Sequence, residues 1–313
     1  MTKPDGHEGH DHADAGGGGH SHAPKDFGLA FAIGTALNFG FVVVEVVFGL
    51  SAHSLALVAD AGHNMGDVLG LLLAWGASIL ARSAPTKRRT YGLRSSSILA
   101  ALFNAIFLLV SVGAIAWEAI RRFEDPADVA GRTVIWVSAL GIAINTATAL
   151  MFMSGRKGDL NIRGAFLHMA SDAGVSAGVL IAGVVILATG YHWIDPVVSL
   201  AISAVIIWGT WRLLRDSLNL ALQSVPEGID MGKVERYLAE LPHVTAVHDL
   251  HVWPMSTTET ALTVHLVRDV DRCDSSLLKE CCSHLHEKFE IQHATIQFET
   301  DDHDCDLASA DRV

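Results

Sequence analysis

The stretch LVADAGHNMGDVLGLLLAWGASIL, residues 57–80, is apolar enough to form a membrane helix, yet it contains Asp60, His63 and Asp67. On insertion scales, a single Asp at the centre of such a helix costs about 2.5–3.5 kcal/mol. His63 and Asp67 are four residues apart, so on a helix they project from one face, and Asp60 lies one turn earlier on nearly the same face. This spacing predicts a membrane helix with one polar face, and that face is a candidate binding site.

A second apolar stretch, residues 161–183 (NIRGAFLHMASDAGVSAGVLIAG), repeats the HxxxD spacing with His168 and Asp172. Two facing HxxxD helices supply two imidazole nitrogens and two carboxylate oxygens, a ligand set that suits tetrahedral Zn²⁺ and also Cd²⁺, Co²⁺ or Fe²⁺. We therefore predict that His63, Asp67, His168 and Asp172 bind a divalent metal ion inside the membrane. In the alternative interpretation, these polar residues only join helices or line a water pocket.

The composition indicates a membrane domain followed by a soluble domain. Half of the 313 residues are hydrophobic and only 18% are charged. Stretches of about 20 apolar residues suffice to span a bilayer, and after Gln223 the pattern changes to short strands and amphipathic helices. The six apolar stretches are approximately 28–50, 56–80, 96–118, 133–153, 164–189 and 196–214.

The fold class predicted from this pattern is an all-α transmembrane domain of six helices with a small cytosolic α+β domain of order αββαβ. In the soluble domain, the pattern predicts helices at 230–240 and 275–289 and strands at 244–252, 259–267 and 293–299. The predicted division is a His-rich tail (1–26), a six-span transmembrane domain (27–217), a soluble domain (224–300) and an acidic tail (301–313).

The distribution of basic residues predicts that both termini are cytoplasmic. Ten Lys and Arg residues lie in the 2–3 and 4–5 loops and just after the sixth stretch, against three in the 3–4 loop, and basic loops stay on the cytoplasmic side. The compact loops suit a bacterial inner membrane. The four cysteines lie in the soluble part without CxxC spacing, which favours reduced thiols.

Several function classes are disfavoured. The net charge of −12 argues against a nucleic-acid partner. The sequence contains no GxxxxGK[ST] loop, which argues against a nucleotide partner and an ATP-driven pump, and no HExxH motif, which argues against an intramembrane protease. We therefore expect a protein that is not an enzyme and has no cofactor. The metal ion would be its substrate.

The N-terminal segment HEGHDHADAGGGGHSH is rich in histidine and glycine. Such tracts are flexible and bind metal loosely, so we expect this segment to capture metal ions near the transmembrane domain. Its histidines are His7, His10, His12, His20 and His22.

The chain resembles the cation diffusion facilitator family, in its zinc-transporting branch. The resemblance extends from about residue 28 to residue 300, and the paired HxxxD is its most specific part. It is carried by SAHSLALVADAGHNMGDVLGL (51–71), RRTYGLRSSSILAALFNA (88–105), AFLHMASDAGVSAGVLIAG (165–183), WIDPVVSL (193–200) and VHDLHVWPMSTTETALTVH (247–265).

The resemblance implies a homodimer that exports Zn²⁺ from the cytoplasm in exchange for protons, with the four HxxxD residues as the transport site. It also implies a metallochaperone-like soluble domain with a structural or regulatory metal at His248 and His265, with Glu299 as a third ligand. Gln297 stands where some relatives have a histidine. The alternative function is a metal-selective channel or a membrane metal sensor without proton-coupled transport.

Overall fold

The structure is a computed structural model that describes residues 28–153, 160–269 and 275–300. The predicted His-rich tail, with His7, His10, His12, His20 and His22, and the acidic tail lie outside the described residues. Six helices in the described part are long and apolar enough to cross a membrane, as predicted. They are α1 (Gly28–Ser51), α2 (Leu55–Ala81), α3 (Ser96–Arg121), α4 (Gly131–Phe152), α5 (Leu160–Thr189) and α6 (Ile194–Ala221).

The surface of the helix bundle is apolar, as a lipid-facing surface requires. Trp75, Trp136 and Trp208 are 67%, 77% and 85% exposed. In water such residues would form a large patch prone to association, whereas in a bilayer they contact acyl chains.

The interior packs closely because glycines face larger side chains. A Cβ added to Gly66 on α2 would lie 2.0 Å from Leu108 Cδ2 on α3, and one added to Gly141 would lie 2.5 Å from the ring of Phe41. Small residues at helix contacts are how membrane helices approach one another, since lipid supplies no hydrophobic driving force between them. The two glycines therefore hold α2 against α3 and α4 against α1.

The soluble domain has the predicted αββαβ order. Its elements are α7 (Met231–Ala239), β1 (Val244–Pro254), β2 (Thr260–Arg268), α8 (Ser275–Phe289) and β3 (His293–Thr300). The sheet order is β1-β2-β3, with β1 and β2 antiparallel and β2 and β3 parallel. Because a parallel pair needs a long crossover, α8 connects β2 to β3. Cys281 on α8 is buried and Cys282 partly exposed, so the adjacent thiols point in different directions, as expected from helix geometry.

The turn between β1 and β2 contacts the start of α3. Ser95 Oγ donates a hydrogen bond to the Met255 carbonyl at 3.2 Å, and Ser97 Oγ accepts one from the Thr257 amide at 3.1 Å. Arg94 forms an ion pair with Glu259. The soluble domain thus contacts the membrane helices directly.

At the far end of the bundle, Asp195 on α6 caps the N-terminus of α2. Its carboxylate accepts hydrogen bonds from Ser54 Oγ, the Leu55 amide and the Ala56 amide, and it is 1% exposed. A carboxylate at a helix N-terminus satisfies amides that have no partner within the helix and is favoured by the helix dipole. This contact fixes α2 to α6 at the end away from the soluble domain.

Candidate metal centre

Helices α2 and α5 cross in opposite directions, and their polar residues meet as three successive pairs. Ser176 Oγ donates to Asp60 Oδ2 at 3.0 Å. One turn further along α2, His63 Nε2 lies 3.6 Å from Asp172 Oδ1, and after another turn His168 Nε2 lies 3.4 Å from Asp67 Oδ2. Each histidine of one HxxxD therefore faces the aspartate of the other.

The four side chains converge on one space. Each histidine also approaches the aspartate of its own helix, with His63 Nε2 at 3.6 Å from Asp67 Oδ2 and His168 Nε2 at 3.7 Å from Asp172 Oδ2. In a tetrahedral zinc site with bonds of about 2.0–2.1 Å, neighbouring ligand atoms are about 3.3 Å apart. The observed separations of 3.4–3.7 Å are close to that value. Ligand atoms of Asp67, His168 and Asp172 all lie within 4.8 Å of one another, and this compact group does not include His63, whose ring centroid is 6.1 Å from that of His168.

The charge of this group also matches a divalent cation. Two carboxylates with two neutral imidazoles carry a charge of −2, which a divalent ion neutralises. Asp172 is 2% exposed, whereas Asp67 is 30% and His168 40% exposed. An ion could therefore reach Asp67 and His168 from solvent, and Asp172 would bind it on the protein side.

Three cavities lie between the metal-centre residues and the soluble-domain end of the bundle. Asp67 and His168 line two cavities of about 690 and 760 Å³. A third cavity of about 700 Å³ lies next to the β1–β2 turn and shares Asn104 with both. At the opposite end of the bundle lie the Asp195 cap and a hydrogen bond from the Ala130 amide to the Ala52 carbonyl at 3.0 Å.

In the soluble domain, the structure brings His248, His265 and Glu299 together. His248 and His265 are directly paired across β1 and β2, with ring centroids 5.2 Å apart. Glu299 on β3 reaches both, with Oε1 at 2.8 Å from His265 Nδ1 and Oε2 at 3.2 Å from His248 Nε2. Their side chains are only 5–13% exposed. Gln297 donates a hydrogen bond to Glu299 Oε1 at 2.8 Å and so orients the carboxylate.

The sequence did not single out Asp249 as part of this group. In a regular strand Asp249 would point away from His248, but the β1–β2 register shifts between His248 and His251 and Asp249 has φ +50°. This bulge turns the carboxylate so that it lies 3.6 Å from His265 Nε2 and 2.9 Å from His251 Nε2. Alternation along the strand could not have predicted this position, because a bulge reverses the alternation.

Family models match almost the whole described chain. A model of the cation efflux transmembrane domain matches residues 31–220, and one named ZT_dimer, the cytoplasmic domain of cation efflux proteins, matches residues 226–301. The chain belongs to the cation efflux family. This result confirms the resemblance inferred from the sequence motifs and the predicted fold class, and the chain is an integral membrane protein.

Relatives in this family are similar over most of their length. The metal cation efflux system protein CzcD of Cupriavidus metallidurans is 37% identical, over 90% of each chain. The zinc transporter ZitB of Escherichia coli is 37% identical, over 89% of this chain and 90% of its own. The cadmium, cobalt and zinc/H⁺-K⁺ antiporter of Bacillus subtilis is 32% identical, over 93% of this chain and 94% of its own.

A solved structure of the metal-bound C-terminal domain of CzcD from Cupriavidus metallidurans matches 23% of this chain and 99% of that chain, at 39% identity and a TM-score of 0.22. The relatives are named as transporters and efflux proteins, which agrees with the prediction that the chain is not an enzyme.

Proposed function

We propose that the chain is a secondary transporter that exports Zn²⁺ from the cytoplasm in exchange for protons, through a tetrahedral site formed by His63, Asp67, His168 and Asp172. The crossing of the two HxxxD segments supports this proposal, because each carboxylate lies within 3.7 Å of both imidazoles. One relative is named a zinc transporter and another a cadmium, cobalt and zinc/H⁺-K⁺ antiporter, and these names support zinc as the substrate and protons as a counter-ion.

The ligand types favour zinc over harder cations. Imidazole nitrogens suit Zn²⁺, whereas Mg²⁺ and Ca²⁺ prefer oxygen ligands only. Cd²⁺, Co²⁺ and Fe²⁺ accept the same ligands and are further candidate substrates. The Bacillus subtilis relative carries cadmium and cobalt in its name.

The cavities support a site that is open toward the cytoplasm in this structure. They extend from Asp67 and His168 toward the domain that matches the cytoplasmic family model. In this state a cytosolic metal ion displaces protons from the four-ligand group. A rocking motion of the helices then exposes the ion to the other face, where protons displace it.

The proposal also covers the orientation of the chain in the membrane and its division into domains. We place both termini in the cytoplasm and the protein in a bacterial inner membrane, in agreement with the basic loops and the bacterial relatives. We also propose a transmembrane domain at residues 27–217 and a soluble domain at residues 224–300, and the family matches at residues 31–220 and 226–301 support this division. The His-rich residues 1–26 capture metal ions loosely, so that removing them slows transport without abolishing it.

In the soluble domain, His248, His265 and Glu299 hold a second, regulatory zinc ion, and the domain pairs two protomers. The name of the matching family model supports a homodimer. Replacing His248 and His265 together by alanine should lower the zinc content of the purified protein and weaken dimerisation. Unchanged zinc content and dimer stability would overturn this part of the proposal.

Zinc uptake into reconstituted vesicles across a pH gradient tests the transport function. Wild-type flux should saturate and follow the opposing proton gradient, and Asp172→Ala should abolish it. Asp216→Asn is the matched control, because this acid also lies on a membrane helix but pairs with Arg212 at the bundle end. A channel would follow the metal gradient and voltage alone, and a sensor would give no flux. Either result would refute antiport.

A further inference from the structure

Two acidic side chains of the membrane domain are fully buried, and the metal centre does not use them. Glu45 on α1 and Asp60 on α2 are both 0% exposed. The two carboxyl groups are neighbours, because Asn64, which bonds to Glu45, lies one helical turn from Asp60 on α2. Glu45 Oε2 also accepts a hydrogen bond from Asn64 Nδ2 at 2.9 Å, and Asp60 Oδ2 accepts one from Ser176 Oγ at 3.0 Å.

The second oxygen of each acid has no donor. Glu45 Oε1 and Asp60 Oδ1 are buried without a hydrogen-bond partner, and within the described ranges neither acid pairs with Lys or Arg. An ionised carboxylate only accepts hydrogen bonds. Two ionised carboxylates cannot donate hydrogen bonds to each other, and two neighbouring uncompensated charges are unfavourable in a membrane interior. A proton between them supplies the missing donor and removes one charge.

We propose that Glu45 and Asp60 hold an exchangeable proton between them, as a proton-binding site distinct from the metal ligands. The proposal rests on the antiport function described above and names the residues that carry one counter-transported proton. Glu45 belongs to α1, which contributes no ligand to the metal centre.

The position of the pair explains how metal and proton become linked. Asp60 is one helical turn, about 5 Å along the axis, from His63, and its neighbour Ser176 is on the same helix as Asp172. The charged or titratable groups that act on the pair from the packed helices are His63 and Asp172. A divalent ion bound by these two residues repels a proton on the pair, so metal binding releases it and metal departure allows it to return.

Asp195 shows the contrasting case of a buried acid that needs no proton. It is 1% exposed, but its oxygens accept three hydrogen bonds and lie 3.9 Å from Arg122 Nη1. Its charge is thus compensated by donors and a cation. It serves as the matched control, since Asp195→Asn also removes a buried membrane acid.

The test compares Glu45→Gln with wild type and Asp195→Asn in full-length protein that elutes as a folded species. Protons released on zinc binding are counted by calorimetry in buffers of different ionisation enthalpy, and zinc uptake is measured in vesicles with and without a pH gradient. We expect Glu45→Gln to release about one proton fewer per zinc ion. In this variant the pH gradient should no longer accelerate zinc uptake appreciably. Zinc–zinc exchange at equal pH on both sides should stay within about twofold of wild type. Asp195→Asn should keep the wild-type proton count.

Wild-type proton release and wild-type acceleration in Glu45→Gln would overturn the proposal. Asp60→Asn gives the same test from the other side of the pair if Glu45→Gln does not fold. If wild-type protein itself shows no response to the gradient, the antiport function fails. If wild type responds and Glu45→Gln responds equally, only the proton site fails.

Discussion

Replacing Asp172 by Asn should weaken zinc binding more than replacing Asp67 by Asn. Asp172 is 2% exposed and Asp67 30% exposed, although both lie 3.4–3.7 Å from the two imidazoles. Either amide keeps the shape of the acid but leaves a bound divalent ion with one charge uncompensated. Removing one partner of a buried ion pair costs about 3–5 kcal/mol, which corresponds to a loss of affinity of about 150- to 5,000-fold.

At Asp67, water can replace part of the lost interaction. We therefore expect a smaller loss there, about 10- to 100-fold. Isothermal titration of detergent-solubilised protein with Zn²⁺ measures both affinities, and Asp216→Asn should change the affinity less than about twofold. Equal losses at the two positions, or an Asp172→Asn variant that binds zinc within tenfold of wild type, would refute the reasoning from burial.

His63→Asp should shift selectivity from Zn²⁺ toward cations that prefer oxygen ligands, such as Mn²⁺, because the site becomes three oxygens and one nitrogen. Competition binding of the two metals checks this, and an unchanged preference would contradict it. Gly66→Ala should destabilise the helix bundle by about 1–3 kcal/mol, because its Cβ would lie 2.0 Å from Leu108 Cδ2. Thermal unfolding should show that the double variant Gly66→Ala with Leu108→Ala loses less stability than the sum of the two single losses. Additive losses would argue against the contact. Burial raises the pKa of the Cys281 thiol from 9.0 to about 11. The folded domain therefore keeps a proton that the unfolded chain releases, and stability present below pH 9 is lost as the pH rises toward 11. Chemical unfolding measures the free energies of unfolding of wild type and Cys281→Ala across this range, and the two values should converge at high pH. A constant difference between them would contradict this prediction.

Much of the architecture could be predicted because the signals are local. Each membrane span is an apolar stretch long enough to cross a bilayer. Residues that are close in sequence are also close in the helix, so the sequence pattern alone shows the span. The soluble domain followed from alternating and amphipathic patterns, and the predicted bounds agree with the helices and strands to within a few residues, except that α6 ends at Ala221 rather than near 214. That last part of α6 carries charges, so hydropathy marks the end of the membrane span and not the end of the helix.

Other features depend on contacts between distant residues. The bulge that turns Asp249 toward His265 arises from the pairing of β1 with β2, which strand alternation does not encode. The capping of α2 by Asp195 joins residues 140 positions apart. The contact of the β1–β2 turn with α3 likewise joins two domains, and neither sequence segment alone predicts it.

The amino-acid sequence by itself determined the membrane spans, the order of elements in the soluble domain and the two HxxxD faces, because helix and strand periodicity place residues of one element on a common side. Only the tertiary structure decided that α2 and α5 cross so that His63 faces Asp172 and His168 faces Asp67, and that Glu45 bonds to Asn64 on α2. The physical reason is that the cost of a buried acid is a property of its surroundings. Those surroundings come from other helices, brought together by packing at small residues and by interhelical hydrogen bonds.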